Sequence, residues 1–234
     1  SVSTALGGNP ILDSVVRLIG NFGFNQIVPP PVVEEKIFSE TGELQKHFGK
    51  NMIRVVNPGQ ELILSPTHLV NVFKLYLENT KSKGPFVAKW FYISPAVRNQ
   101  DNRFIVNHEF GIFVLGEDSS LANIELINAV TQVLSGLGIS EFVAEITSRG
   151  CKSCQANYKD VLQDYLDKAQ SLCSNCQANL QQNIMAVFNC ENPVCQTVLA
   201  SSPQMVDLLD DSCRTTLVDA LETIDGLEIP YVLN

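Results

Sequence analysis

The first 150 residues of this 234-residue chain contain no cysteine, so neither disulfides nor thiolate-bound metal can hold that part together. Long apolar runs are lacking as well. The longest, such as Phe110 to Leu115, fall far below the roughly 20 residues that a membrane-spanning helix requires, and no membrane partner is expected. Ser1 to Pro10 has neither a basic start nor an apolar stretch, so no signal peptide is read there and a cytoplasmic location is the expectation. Positive charge is scarce too: 16 Lys and Arg stand against 25 Asp and Glu, giving a net charge of -9 and a pI near 4.8. Such a surface repels polyanions at long range. No DNA partner is expected, and any other nucleic acid would need a local basic patch. What remains is ordinary for a globular protein, with 45% hydrophobic residues and enough length for one good core plus a smaller module.

The cysteines that are present are concentrated. All seven lie between Cys151 and Cys213, and the first four form two pairs, Cys151/Cys154 and Cys173/Cys176. Two thiolates separated by two residues can grip one ion from a single turn, and a second pair completes a tetrahedral set. Reducing conditions and an odd count both favour metal over disulfides. Cys151, Cys154, Cys173 and Cys176 are therefore a candidate zinc site, and Cys190, Cys195 and Cys213 supply three ligands of a second. The pairs can also interleave, and spacing leaves the pairing open. Sulfur coordination without water-activating groups nearby points to a structural ion.

The hydrophobic pattern predicts an α+β body. Helices are expected over Pro10 to Asn21, Val32 to Thr41, Thr67 to Glu78 and Asp118 to Leu137, the last capped by Asp118 or Ser119. Strands are expected at Phe24 to Val28, Asn51 to Val56, Glu61 to Leu64, Lys89 to Ile93, Phe104 to Leu115 and Val143 to Thr147. Asn57, Pro58 and Gly59 have hairpin composition, and Arg98 to Arg103 reads as a polar loop. From Gly150 onward the chain becomes helical and rich in Gln, Asn and Asp, with one late strand at Ile229 to Leu233. The expected divisions are a body over 1–148, a helical cysteine-rich domain over 149–226, and a return strand over 227–234. Leu69, Val72 and Phe73, and Leu121, Ile124, Ile127 and Val130, read as core faces. His47, His68 and His108 receive ordinary readings, on a loop, near a helix start and on a strand.

The stretch Trp90-Phe-Tyr-Ile-Ser-Pro-Ala-Val-Arg98, then Arg103, then His108-Glu-Phe-Gly-Ile-Phe-Val-Leu-Gly116 and onward to Ile127 resembles motif 2 of class II aminoacyl-tRNA synthetases in its histidyl form. Gly23-Phe-Asn-Gln-Ile-Val-Pro-Pro30 is similar to motif 1, and Phe38 to Glu43 and Leu62-Ile-Leu-Ser-Pro66 match the segments that follow. Gly150-Cys-Lys-Ser-Cys154, Tyr158, Leu172-Cys-Ser-Asn-Cys176, Cys190-Glu-Asn192 and Cys213-Arg214 resemble the insertion domain of cysteine-rich bacterial histidyl-tRNA synthetases. The resemblance is collinear over nearly the whole chain.

It implies a class II antiparallel sheet flanked by helices, a small zinc-binding helical insertion, and a homodimer through motif 1. It also implies ATP-dependent activation of histidine and its transfer to tRNA, with zinc as a structural ion and ATP with Mg as cofactors if the chain is active. Arg98 takes the place of the catalytic arginine on the α-phosphate, where a fixed guanidinium stabilises developing charge. Arg103 and Gln100 fall with it in the ATP region, Gln100 where the family has an acid. The family often has a cysteine at Asp210, which makes Asp210 the expected fourth ligand of the second zinc, with Asp211 as the fallback.

Several positions depart from the family. Ser65, Pro66 and Thr67 replace Arg-Pro-Glu, removing the carboxylate that receives the amino group of histidine. Glu109 and Phe113 replace the glutamine and glutamate that read the imidazole, and a phenyl ring offers no acceptor. Thr67 and Glu109 remain the substrate-facing positions. The resemblance stops at Asn234, ahead of the histidine-specific loop, the glycine-rich strand, motif 3 and the anticodon-binding domain, so the chain is expected to be either a piece of a longer protein or a reduced relative. The insertion region carries Arg149, Lys152, Lys159, Lys168 and Arg214 against roughly twice as many acids, which disfavours tRNA binding. The expected function is that of a histidyl-tRNA synthetase-like protein, not completing aminoacylation as this chain. The alternative is a non-catalytic relative acting as a regulatory module or a dimeric zinc-stabilised binding module.

Overall fold

A computed structural model describes residues 9–39, 52–100, 103–169 and 171–233. The chain divides into two compact units, Ser1–Ser140 and Glu141–Asn234, each with its own core.

In the first unit, helix α1 (Pro10–Gly20) starts where Asn9 Oδ1 accepts the amide of Ile11 at 3.0 Å, with Pro10 in the first turn. Pro there loses nothing, because its missing N–H has no intrahelical partner in any case. Strand β1 (Asn25–Gln26) runs parallel to β5 (Ala88–Gln100), which is antiparallel to β6 (Arg103–Leu115). The β5–β6 pairing is continuous from Ala88↔Leu115 to Gln100↔Arg103. β5 is longer than its hydrophobic pattern indicates, so Arg98 sits on a strand and not in a loop.

Period-two alternation sorts this ribbon into two faces. Phe91 and Ile93, joined by Phe110 and Ile112, pack with Val15, Ile19 and Phe24 and with Ala129 and Val133. The last two belong to helix α4 (Ser120–Gly136), capped by Ser119 as expected, whose hydroxyl accepts the amide of Ala122 at 3.2 Å. The other face carries Trp90, Tyr92, Ser94 and Arg98 on β5, with Glu109, Gly111 and Phe113 opposite on β6.

A second sheet, β2 (Val32–Glu34), β4 (Gln60–Leu64) and β3 (Ile53–Asn57), precedes helix α3 (Leu69–Lys83). The helix expected over Val32 to Thr41 is corrected here. Val32 and Val33 pair with Leu64 and Ile63, and only Lys36–Ser39 (α2) is helical. The β-branched pair after Pro31 is better placed in a ladder, where Val33 is buried against Ile63 and Phe38. Asn57 pairs with Gln60, and Gly59, at φ 81°, takes the left-handed position of the two-residue turn.

In the second unit, β7 (Ala144–Ile146) and β8 (Tyr231–Leu233) pair in parallel. Between them lie α5 (Lys152–Asp167), α6 (Ser174–Gln182), a 3-10 turn (Ile184–Asn189), α7 (Pro193–Leu199), a second 3-10 turn (Met205–Leu208) and α8 (Asp211–Gly226). Tyr158, Leu162 and Leu166 form an i, i+4, i+8 stripe on α5 that packs with Leu172, Cys176, Ile184, Val187 and Cys195. Among the described residues no helix is long and apolar enough to cross a membrane. His47 lies outside the described residues.

Gly111 faces Tyr92 across the β5–β6 ribbon, and a Cβ there would lie 2.5 Å from a ring carbon of Tyr92. Gly111→Ala should therefore destabilise the first unit by about 1–3 kcal/mol through overpacking. Denaturant unfolding followed by the fluorescence of Trp90, the single tryptophan, measures this; a wild-type midpoint would show that the ring yields freely.

Candidate functional site

On the polar face of the β5–β6 ribbon, Glu109 is the hub. Its Oε1 accepts the Thr67 hydroxyl at 2.7 Å, and its Oε2 accepts the backbone N–H of His68 at 3.2 Å. Both oxygens are thus engaged by the segment that leads into α3. That segment is held by a buried network. Ser65 Oγ donates to the Thr67 carbonyl at 2.6 Å and accepts from Asn71 Nδ2 at 2.9 Å, while Asn71 Nδ2 also lies 3.1 Å from the Pro30 carbonyl. His68 is fully buried, and its Nε2 lies 3.0 Å from the Pro95 carbonyl. A carbonyl only accepts, so Nε2 carries the hydrogen. Arg98 Nε donates to the Pro66 carbonyl at 2.9 Å, tying the β5 guanidinium to the same turn.

Tyr92 lies beneath this group. Its phenol is pushed well above the ordinary tyrosine range, first by burial and then by the Glu109 carboxylate, with Arg98 acting in the opposite direction. Phe113 stacks on Tyr92 with ring centres 5.8 Å apart and meets Phe73 edge-on at 6.2 Å. The position expected to read an imidazole is therefore part of an aromatic cluster. Thr67, Glu109 and Arg98 come together as a group, whereas Arg103 is exposed at the start of β6 and Gln100 pairs with it through the backbone.

The second unit gathers its thiols at helix N-termini. Cys173 caps α6, and Cys176, three residues on, donates its amide to Cys173 Sγ at 3.5 Å. Asn192 caps α7, which places Cys195 at the equivalent third position, and Cys190 follows the 3-10 turn. The four sulfurs of Cys173, Cys176, Cys190 and Cys195 lie within 4.8 Å of one another. A second group repeats the plan with two caps: Cys151 caps α5 with Cys154 at the third position, and Asp210 caps α8 with Cys213 at the third. Cys151, Cys154, Asp210 and Cys213 again offer four ligand atoms within 4.8 Å.

The two cysteine pairs do not join each other. Cys151/Cys154 goes with Asp210 and Cys213, and Cys173/Cys176 goes with Cys190 and Cys195, which corrects the pairing read first from spacing. The interleaved alternative is the one assembled, because α8 returns its N-terminus to that of α5. Asp210, not Asp211, is in the cluster. One carboxylate oxygen accepts the Cys213 amide at 2.8 Å while the other receives Cys151 Sγ at 3.1 Å.

These groups fit a tetrahedral ion. Zinc–sulfur bonds of about 2.3 Å in a tetrahedron set sulfurs roughly 3.8 Å apart, and the Cys173–Cys190 and Cys151–Cys154 separations are 3.8 and 3.5 Å. All seven cysteines are free thiols. The Cys176 amide draws the Cys173 thiol down to about 7, while burial and then Cys190 push Cys176 up. Without a cation the four sulfurs cannot ionise together. The amide of Cys213 and then the Cys151 thiol hold the Asp210 carboxyl below the usual range.

Tyr92 and Asn71 are not singled out by the sequence, and His68 receives only an ordinary reading near a helix start. The only local signal is a polar run, Ser65 to His68, directly ahead of an apolar helix, and nothing in that run announces burial.

No protein-family model matches the chain. Among curated proteins it is 28% identical to the histidine–tRNA ligase of Desulfitobacterium hafniense over 228 residues, 95% of this chain and 54% of that protein. It is 30% identical to the histidine–tRNA ligase of Thermodesulfovibrio yellowstonii over 224 residues, 93% and 53% of the two. The chain spans about half the length of these curated relatives. Of solved structures, apo S. aureus histidyl-tRNA synthetase matches with a TM-score of 0.72 at 19% identity, over 96% of this chain and 52% of that one. An ATP phosphoribosyltransferase regulatory subunit/histidyl-tRNA synthetase from Bacillus halodurans C matches with a TM-score of 0.59 at 17% identity, over 95% and 62%. The chain is thus similar to histidine–tRNA ligases over nearly all of its own length and has the mixed α+β fold of these class II synthetase structures.

Thr67→Val keeps the shape of the side chain and removes the donor to Glu109 Oε1. It should cost about 1–3 kcal/mol in Trp90-monitored unfolding, and Thr67→Ser should restore most of that; an unchanged midpoint in Thr67→Val would mean that water replaces the hydroxyl. The raised Tyr92 phenol gives a pH signature of definite sign. Its folded form resists ionisation, so its contribution is intact below the unfolded tyrosine pKa of about 10 and is lost as pH rises beyond it. Stability against pH should fall above about pH 10 less steeply in Tyr92→Phe than in the wild type, and identical slopes would remove Tyr92 as the source.

Proposed function

We propose that this chain is a synthetase-derived module whose body retains a phosphate-gripping arginine but does not select histidine, and whose second unit is stapled by two structural zinc ions. One observation carries the reading of the body. Glu109, the only carboxylate at the two substrate-facing positions, already accepts one hydrogen bond on each oxygen, from Thr67 and the His68 amide, and Phe113 is stacked into the aromatic cluster. An amino group brought here competes with the Thr67 hydroxyl and the His68 amide for the Glu109 oxygens, and an imidazole N–H meets a phenyl ring. Burying such a donor unpaired costs about 1–3 kcal/mol.

Arg98 is the catalytic-position residue that survives. Held to Pro66 through Nε, it would steady an α-phosphate, and ATP with Mg is the nucleotide proposed for it, in the region of Gln100 and Arg103. Homodimerisation through the motif 1 segment and a cytoplasmic location accompany this reading. Contact with tRNA is disfavoured by the acidic second unit. A protein described as an ATP phosphoribosyltransferase regulatory subunit/histidyl-tRNA synthetase shares the fold, and what favours a regulatory role over an independent ligase in this reading is the Glu109 and Phe113 geometry.

Pyrophosphate–ATP exchange with the whole gene product tests the body. The expected outcome is ATP binding that weakens at least tenfold in Arg98→Ala, without histidine-dependent exchange. Exchange at the level of an ordinary ligase would overturn the proposal.

For the second unit, metal analysis of protein purified without chelator should find two zinc per chain. Cys195→Ser should lower this to about one, and Asp210→Cys should retain two with tighter binding to the second cluster, since thiolate is the softer ligand. Metal-free protein with undiminished helical circular dichroism would remove the zinc claim.

A further inference from the structure

The second unit contains a cavity of about 710 Å³, within the range of roughly 300–1,000 Å³ typical of small-molecule sites. It lies between α5, which contributes Tyr158 and Lys159, the first 3-10 turn, which contributes Met185 and Phe188, and the segment from Leu199 to Met205. Arg149 closes one side and Cys190 stands in the wall, so the cavity shares a residue with the first cysteine cluster.

Its charge is anomalous. Residues 141–234 carry 13 acids and 5 bases, yet no acid lines the cavity, while two of the five bases, Arg149 and Lys159, do. Neither makes an ion pair among the described residues. Phe188 and Met185 remain 42% and 41% exposed, presenting an aromatic face and a polarizable thioether beside the two cations. Exposed apolar side chains next to unpaired cations, in a unit otherwise dense in acids, match a ligand with an anionic group and a flat apolar body.

We propose that this cavity is a binding site for a small aromatic anion, with its charged group on Arg149 and Lys159 and its ring system against Phe188, Met185 and Leu199. The site is independent of the Arg98 region and holds whether or not that region binds nucleotide.

The probe is 8-anilinonaphthalene-1-sulfonate, with N-phenyl-1-naphthylamine as its uncharged counterpart, added to the zinc-containing full chain. One sulfonate probe per chain should bind with enhanced, blue-shifted fluorescence. Arg149→Ala/Lys159→Ala should weaken it at least tenfold while leaving the uncharged probe within about twofold, and Phe188→Ala should weaken both. Circular dichroism of the variants, whose changes lie on exposed side chains, checks that the fold is kept. AMP should displace the sulfonate at lower concentration than adenosine. Equal sulfonate binding by wild type and double variant, or equal loss of both probes in the double variant, would overturn the proposal. So would displacement by a short RNA at far lower concentration than AMP, which assigns the cations to a polymer.

Discussion

The second unit depends on one local geometry, a ligand at a helix cap and another three residues later. In the first turn of a helix these two positions face the same way, and the backbone amides there lack intrahelical acceptors. A thiolate or carboxylate at the cap meets the positive end of the peptide dipoles, and Cys173 and Asp210 each also accept a first-turn amide there. Cys151/Cys154, Cys173/Cys176 and Asp210/Cys213 all use it. In this frame Asp210-Asp-Ser-Cys213 is a variant of the two cysteine pairs, with a carboxylate at the cap. A carboxylate has a second oxygen free for a neighbour once the first accepts an amide, which is how Asp210 reaches Cys151 while capping α8. The unit has a short core built on one helical stripe, so four helix ends held around two ions would supply order that apolar burial alone leaves marginal.

The first unit is organised by a different economy. Alternation along β5 and β6 gives one face to the core and leaves the other to carry polar chemistry. On that polar face the resemblance implies a carboxylate at position 67 and an amide at 109; the chain has a hydroxyl and a carboxylate, and the two bond to each other. The negative charge has moved from the segment ahead of α3 to β6, where each of its oxygens already accepts a hydrogen bond from that segment. Tyr92 and Phe113 complete the substitution, since a stacked pair beneath Glu109 replaces acceptors with ring faces. Arg98 lies farther along β5, past Ser94 and Ala96, where its Nε binds a backbone carbonyl.

Much of this was legible in the residues, and the failures have physical causes. The helix over Pro10 to Gly20, the capped helix after Ser119 and the hairpin at Pro58-Gly59 follow from local rules, because caps, periodicity and turn chemistry act within a few residues. Val32 and Val33 were misread as helical since their ladder partner lies about thirty residues away on β4, and tertiary pairing overrides propensity. The cysteine spacing points to candidate metal ligands but not to their grouping. Spacing reports which two ligands share a turn, whereas the return of α8 to α5 is a property of the packed unit. The buried His68 network was invisible for the same reason: its partners, Pro95 and Glu109, come from β5 and β6.

Electrostatics then separates polymer from small molecule as a ligand for the second unit. Each cluster, once its thiolates hold a divalent ion, carries a net charge of about -2, which adds to an excess of acids already present. A polyanion longer than the screening length of about 8 Å at physiological salt must cross that field. A ligand small enough to end within one screening length of Arg149 and Lys159 does not. The same acidity that repels a nucleic-acid duplex therefore leaves room for a small anion at a local site, because two of the unit's five bases line one cavity that no acid lines.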